Sequence, residues 1–122
     1  MRSAVRQNRR LVMTENQFKK ATRFRALHTT PGTFVVPNPW DGATARIFEG
    51  LGFKALATSS GAHAATLGRR DGRVTRDEAM AHCRVIVEST ALPVAADLEK
   101  GFGDDPKTVA ETIRQAAEVG LV

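Results

Sequence analysis

Apolar and polar positions follow two rhythms along this chain: short dense apolar runs, and longer stretches with helical period. Phe18, Ala21, Phe24 and Leu27 recur at helical, three-residue steps with basic residues between them, which predicts an amphipathic helix over 17–27. Thr14 and Glu15 stand where capping groups belong. Pro31-Gly32 then breaks the chain, and the β-branched and aromatic run Thr33 to Val36 reads as a strand closed by Pro37-Asn38-Pro39. Asp41 can cap a second helix with Ala43, Ile47, Phe48 and Leu51 on its apolar face. Phe53 to Thr58 is nearly all apolar, as in a strand covered on both faces. Ala62 to Leu67 suits a short helix, and Gly68 to Gly72 a polar loop. Thr75 and Glu78 form a Thr-x-x-Glu capping box, opening a helix to about Thr90 with Ala79, Cys83, Ile86 and Val87 inward. Pro93 leads into a third strand, Val94 to Leu98. After the turn at 101–105, Pro106 occupies the first position of a last helix. Val109, Ile113, Ala116, Ala117 and Val119 mark its buried stripe, and Leu121-Val122 opens another apolar run.

Strand followed by helix, three times over, implies parallel strands and right-handed crossovers, hence an α/β fold. Polar or glycine-rich clusters come after each strand: Asn38 to Asp41, Ser59-Ser60-Gly61, and Asp97 to Asp105. Ligands of parallel α/β folds bind at that carboxyl edge.

Composition is that of a globular chain, 42% hydrophobic and 25% charged over 122 residues. No apolar run reaches the roughly 18 residues of a membrane span. The N-terminus has no apolar core of a secretory signal, and Cys83 is alone, so no internal disulfide forms; a cytoplasmic address fits. The net charge of +5 is concentrated: residues 1–13 hold Arg2, Arg6, Arg9 and Arg10 with no acid, leaving +1 for residues 14–122. A nucleic-acid surface on the domain is therefore not expected. Residues 1–13 read as a dispensable leader or a misassigned start ahead of Met13, against the alternative of a basic binding tail, and residues 14–122 read as the domain.

The densest candidate chemistry is Asp97-Leu98-Glu99-Lys100-Gly101-Phe102-Gly103-Asp104. If the strand runs through it, Asp97 and Glu99 lie two apart and point to one side. Two close carboxylates call for a cation between them, and oxygen-only ligands suit Mg²⁺. The alternative is a solvated acidic turn ahead of a helix. Ser59-Ser60-Gly61 presents backbone N–H groups to an anion, or acts only as an N-cap. Asp71 by itself is a turn residue, Asp41 a cap and Trp40 a packing residue. His28, His63 and His82 have no ligand spacing, and Cys83 reads as core rather than nucleophile.

Taken in order, five segments resemble the isocitrate lyase and phosphoenolpyruvate mutase family, its smaller members above all. They are Phe24 to His28, Val35 to Ala43, Leu56 to Gly61, Leu67 to Gly72, and Pro93 to Gly103. The resemblance implies a TIM-type barrel, of which this chain would hold the N-terminal helix and about the first three βα units. It implies Mg²⁺ and a small 2-oxo or enol carboxylate substrate, with C–C or P–C bonds cleaved or rearranged through an enolate-like intermediate. By position, Asp97 resembles the principal magnesium carboxylate, and Glu99 a second acid holding the ion through water. Asp71 resembles the acid that orders the ion's water shell. Ser60, Gly61 and Ala62 resemble the segment gripping the substrate carboxylate, with Trp40 and Asp41 at the mouth. Full-length relatives are expected to be homo-oligomeric.

Phe102 departs from the family's usual tyrosine, so any hydroxyl role there is lost. A whole barrel takes about 250 residues. The family's acid after the fourth strand, and the mobile loop that separates lyase from mutase and hydrolase members, have no counterpart in the 122 residues. The expectation is an N-terminal part of such an enzyme, with a catalytically inactive fragment or a self-associating α/β module as alternatives.

Overall fold

The structure, a computed structural model, describes residues 13–122. The basic leader expected over 1–13 thus lies outside the described residues except for Met13. Five helices and two short parallel strands run in the order α1 (Glu15–Thr29), α2 (Gly42–Gly50), β1 (Leu56–Ala57), α3 (Ser60–Thr66), α4 (Arg76–Glu88), β2 (Val94–Ala95) and α5 (Pro106–Glu118). Among the described residues, no helix is long and apolar enough to cross a membrane.

Helix starts obey local hydrogen-bond chemistry. Thr14, Asp41, Ser59, Thr75 and Asp105 each accept a backbone N–H from the first turn of the helix they precede. Reciprocal capping boxes close at Asp41 with Thr44 and at Thr75 with Glu78. The strands pair in register, Leu56 opposite Val94 and Ala57 opposite Ala95. On the other edge of β1, Ala57 N–H donates to the Pro37 carbonyl at 3.1 Å; beyond β2, Val122 N–H donates to the Val94 carbonyl at 3.1 Å. Four chain segments therefore lie side by side in sequence order, with β1 and β2 at the centre.

The expected strand over 33–36 does not form. Residues 33–36 form no regular ladder: Pro37 and Pro39 just beyond them have no N–H to give, and the Pro37 carbonyl is the backbone link to β1. The strands expected over 53–58 and 94–98 shrink to two residues each.

The core gathers Ala45, Leu56, Met80, Cys83, Ile86, Leu92, Val94, Ala116, Val119 and Leu121, with Phe48, Val87, Ala96 and Leu98 packed against it. Burying a large aliphatic side chain contributes about 1.5–3 kcal/mol, so Leu56, Ile86 and Val94 between strands and helices carry much of the cohesion. The expected inward face of α4 is observed. The α2 stripe is rotated, and the α1 and α5 stripes hold in part: Ala21, Phe24 and Leu27 are half-buried, and Ala116 and Val119 are buried as expected. Helix α1 buries Gln17 and Lys20 while Phe18 stands exposed. The Gln17 amide donates to the Ala117 and Leu121 carbonyls at 2.8 Å, and Lys20 donates to the Thr90 carbonyl at 3.2 Å. These polar tips satisfy carbonyls at the end of α5 and ahead of β2, on the same face as the half-buried Ala21, Phe24 and Leu27. On α2, Ala45 is buried while Ile47 and Leu51 are exposed. On α5, Ile113 is exposed and Thr112 is fully buried instead, its hydroxyl donating to the Gly101 carbonyl at 2.7 Å.

Candidate functional site

Parallel pairing brings the carboxyl ends of β1 and β2 together, and the polar clusters just past each strand meet there. Ser60, the first residue of α3, directs both its hydroxyl (2.9 Å) and its backbone N–H (3.3 Å) to Asp97 Oδ2. The Glu99 N–H donates to Asp97 Oδ1 at 3.0 Å, and the Asp97 N–H donates to the Thr58 hydroxyl at 3.2 Å. Asp97 is thus tied to its own turn and, across a sequence gap of 37 residues, to the segment that follows β1. Its carboxyl is held below the usual carboxylate range, chiefly by the Glu99 N–H and then by Ser60, against a partial desolvation that pushes the other way. It is ionised at neutral pH. A carboxylate offers about four acceptor sites, and three are occupied here, so one remains on Oδ1.

The expectation that Asp97 and Glu99 share a side because a strand runs through both is not met, since the ladder ends at Ala95. Past it the chain makes a tight turn in which Glu99 (φ 51°) and Phe102 (φ 61°) adopt the left-handed region that non-glycine residues rarely enter. Gly101 (φ 81°) completes it, and a Cβ there would press on both Val109 methyl groups at 3.1 Å. The turn is held from below by the buried Thr112 hydroxyl. Backbone strain of this kind persists only where the surroundings over-determine it. Glu99 nonetheless faces the same small cavity as Asp97, together with Thr58, Ser59, Ser60, His63 and Phe102. That cavity measures about 10 Å³, room for roughly one water-sized species. No group of three His, Cys, Asp or Glu side chains converges for a metal among the described residues.

The other expected residues divide between this cavity and a neighbouring cleft. Ser59 is an N-cap, accepting the Ala62 N–H at 3.3 Å, so that N–H is engaged within the helix. Gly61 lies against Asp71: a Cβ on it would sit 3.5 Å from Asp71 Oδ2. Asp71 therefore joins the α3 end of the site, with its Oδ1 taking the Gly72 N–H at 3.0 Å. Trp40 and Asp41 do not line the Asp97 cavity. They border an open cleft of about 450 Å³ on the α2 and α4 side, with Thr66, Glu78 and Val85. Asp41 caps α2, and its carboxyl is lowered first by the Thr44 N–H.

Between cavity and cleft stand two residues that sequence reasoning passed over. The rings of His63 and His82 stack with centroids 3.8 Å apart and planes 4° from parallel. They line both spaces. Nothing in their separation along the chain signals this, because the meeting depends on how α3 packs on α4. Cys83 is buried and its thiol is pushed up to about 11 by desolvation, which agrees with a core role.

Against known proteins, residues 24–122 match the family model described as phosphoenolpyruvate phosphomutase. The chain is 36% identical over 103 residues to 2,3-dimethylmalate lyase of Eubacterium barkeri, covering 83% of this chain and 35% of that protein. It is 32% identical over 108 residues to 2-methylisocitrate lyase of Halalkalibacterium halodurans, covering 88% and 36%. Among solved structures, a lyase/mutase candidate from Burkholderia cenocepacia J2315 superposes with a TM-score of 0.86 at 52% identity, over 88% of this chain and 39% of that one. A structure of 2,3-dimethylmalate lyase, a PEP mutase/isocitrate lyase superfamily member, gives 0.75 at 32% identity, over 90% and 38%. The chain thus spans a little over a third of the length of these relatives, which are lyases and mutases, and it belongs to the phosphoenolpyruvate phosphomutase family within the PEP mutase/isocitrate lyase superfamily.

Proposed function

We propose that this chain supplies the metal- and carboxylate-facing part of an enzyme that cleaves or rearranges C–C or P–C bonds of small 2-oxo or enol carboxylates through an enolate-like intermediate. The four adjacent segments would be the opening part of a (β/α)₈ barrel. The observation that carries the reading is the clasp of Ser60 on Asp97 across the carboxyl ends of two adjacent strands. The named relatives act on dimethylmalate and methylisocitrate, small carboxylic acids of the kind proposed here.

The donor set fits Mg²⁺. Asp97 is ionised, rigidly held and keeps one free acceptor site, and Glu99 lines the same cavity. Mg²⁺ takes one or two carboxylates and keeps several waters, so two acids suffice where a third is lacking. When bound, the ion supplies Lewis-acid stabilisation of charge developing on an oxo oxygen. The chain's own groups do the rest. Asp97 would hold the ion, and Glu99 would hold it through water. Ser60 keeps Asp97 aimed, and within the Ser60–Ala62 segment the Gly61 N–H, between the donors that Asp97 and Ser59 take, would meet the substrate carboxylate at the mouth. Asp71, beside Gly61, orders water there. Trp40 and Asp41 border the substrate side of the entrance.

A second reading, a self-associating α/β module without turnover, draws on one feature. An apolar hollow of about 400 Å³ lies open beside β2, lined by Ala21, Ala96, Leu98, Ile113 and Leu121 among others.

The test records thermal unfolding of the 122-residue chain while titrating Mg²⁺ with oxalate as an enolate mimic. The expected result is a saturable rise in melting temperature that disappears in Asp97→Ala while far-ultraviolet dichroism is retained. A folded wild-type chain whose melting temperature ignores both ligands contradicts the proposal.

A further inference from the structure

The stacked imidazoles of His63 and His82 stand between the Asp97 cavity and the Trp40 cleft, and the proposed metal and substrate chemistry uses neither. His82 Nε2 lies 2.8 Å from the Trp40 carbonyl oxygen. A carbonyl only accepts, so Nε2 carries a hydrogen and donates it, which sets the His82 tautomer. His63, on α3, is buried and lies flat against the other face of that ring. Neither ring hydrogen-bonds to Asp97 or Glu99 among the described residues. We propose that His82, braced by His63, is the positioning residue that pins the Trp40–Asp41 turn beside the site, and that it does so only while the pair carries no more than one positive charge.

Charge decides where a first proton goes. Asp41, from the turn before α2, and Glu78, on α4, border the cleft that both rings line, and His82 lies near enough to Asp41 for the two charges to interact. Arg69, from the loop after α3, opposes a charge on His63 and Glu78 favours one, and Asp97 and Glu99 line the same small cavity as the rings from beyond β2. A cation on His82 keeps its N–H donor to Trp40 and gains the neighbouring Asp41. A second proton on His63 would place like charges 3.8 Å apart in a partly desolvated setting. Burial first, and His82 second, already hold His63 below the ordinary histidine value. Double protonation therefore separates the rings and frees the Trp40 turn.

Trp40 is the single tryptophan, so its emission reports the turn directly. The experiment takes the whole chain from pH 8 to pH 5, recording Trp40 fluorescence, far-ultraviolet dichroism and imidazole proton resonances, with no metal or substrate present. It therefore succeeds or fails independently of the proposed activity. The expected result, read from the resonances assigned to His63 and His82, is stepwise protonation in which His63 takes its proton last, below the ordinary histidine value, with an emission step that accompanies only that second protonation. His63→Phe keeps a flat ring that cannot be charged, and loses the step while keeping the pH 8 spectrum. His82→Gln keeps an N–H donor without the cation, and also loses the step. Two independent titrations at the ordinary value, or a step unchanged in His63→Phe, overturn the proposal. If His63→Phe fails to fold, the wild-type resonances alone decide between the two.

Discussion

Asp97 takes three hydrogen bonds from donors on two segments, and removing one of them separates aiming from binding. Ser60→Ala deletes the hydroxyl and leaves the Ser60 N–H. A hydrogen bond to a charged group contributes about 1.5–3 kcal/mol, so the Mg²⁺ dissociation constant measured by calorimetry should rise by roughly ten- to a hundredfold, rather than binding being lost. An unchanged constant would mean that the clasp is incidental. The carboxylates of this site were legible in the sequence, because acids and glycines directly after an apolar run stand out. Their geometry was not. The strand argument for Asp97 and Glu99 fails, and a strained turn brings them to one cavity instead. The His63–His82 stack was illegible for a different reason: two residues on separate helices meet only through packing, and packing leaves no spacing to read.

Helix boundaries were readable where a side chain caps them, since capping is decided within four residues of sequence. At Thr75 and Glu78 the box closes as expected, and Glu78 also takes Arg69 Nη1 on both carboxylate oxygens at 2.8 and 2.9 Å. Thr75→Ala should lower stability by about 1 kcal/mol, measured by urea unfolding. The Thr75 N–H first, then Arg69, depress the Glu78 carboxyl from 4.5 to about 2. A folded-state value below the unfolded one stabilises above the unfolded value and loses that contribution as pH falls through the folded one. The melting-temperature gap between wild type and Glu78→Gln should accordingly be full at pH 6 and shrink as pH drops from about 4.5 toward 2. A gap that does not vary with pH would show that the carboxylate charge is not what matters. Helix faces were less legible than helix ends. Gln17, Lys20 and Thr112 are buried because their polar tips reach specific carbonyls, and a hydrophobic period cannot anticipate such partners. The strand over 33–36 failed because β propensity says nothing of prolines that cannot extend a ladder.

Across the whole molecule, the arrangement of strands and crossing helices places one core between β1, β2, α4 and α5 and leaves several large apolar side chains outside it. The contrast is testable within one residue type. Ile86 is fully buried and Ile113 is 54% exposed. Ile86→Ala should cost about 2–5 kcal/mol of unfolding free energy, whereas Ile113→Ala should change it by no more than about 0.5 kcal/mol. Equal losses would mean that the hollow beside Ile113 is covered in solution, which is what self-association would produce. The alternating order of elements was visible from the chain alone, because strand and helix periods differ by nearly a factor of two. The side-by-side order of the segments also agrees with the family match over residues 24–122. The central claim is that a divalent ion binds where Ser60 holds Asp97. Its most direct test adds Mn²⁺, a paramagnetic substitute for Mg²⁺, to the isotope-labelled chain and maps amide line broadening. The account predicts saturable broadening centred on residues 58–61 and 97–102, reversed by excess Mg²⁺ and absent in Asp97→Asn. Broadening centred on other acids, such as Glu15 or Asp104, or broadening that survives Asp97→Asn, would contradict it.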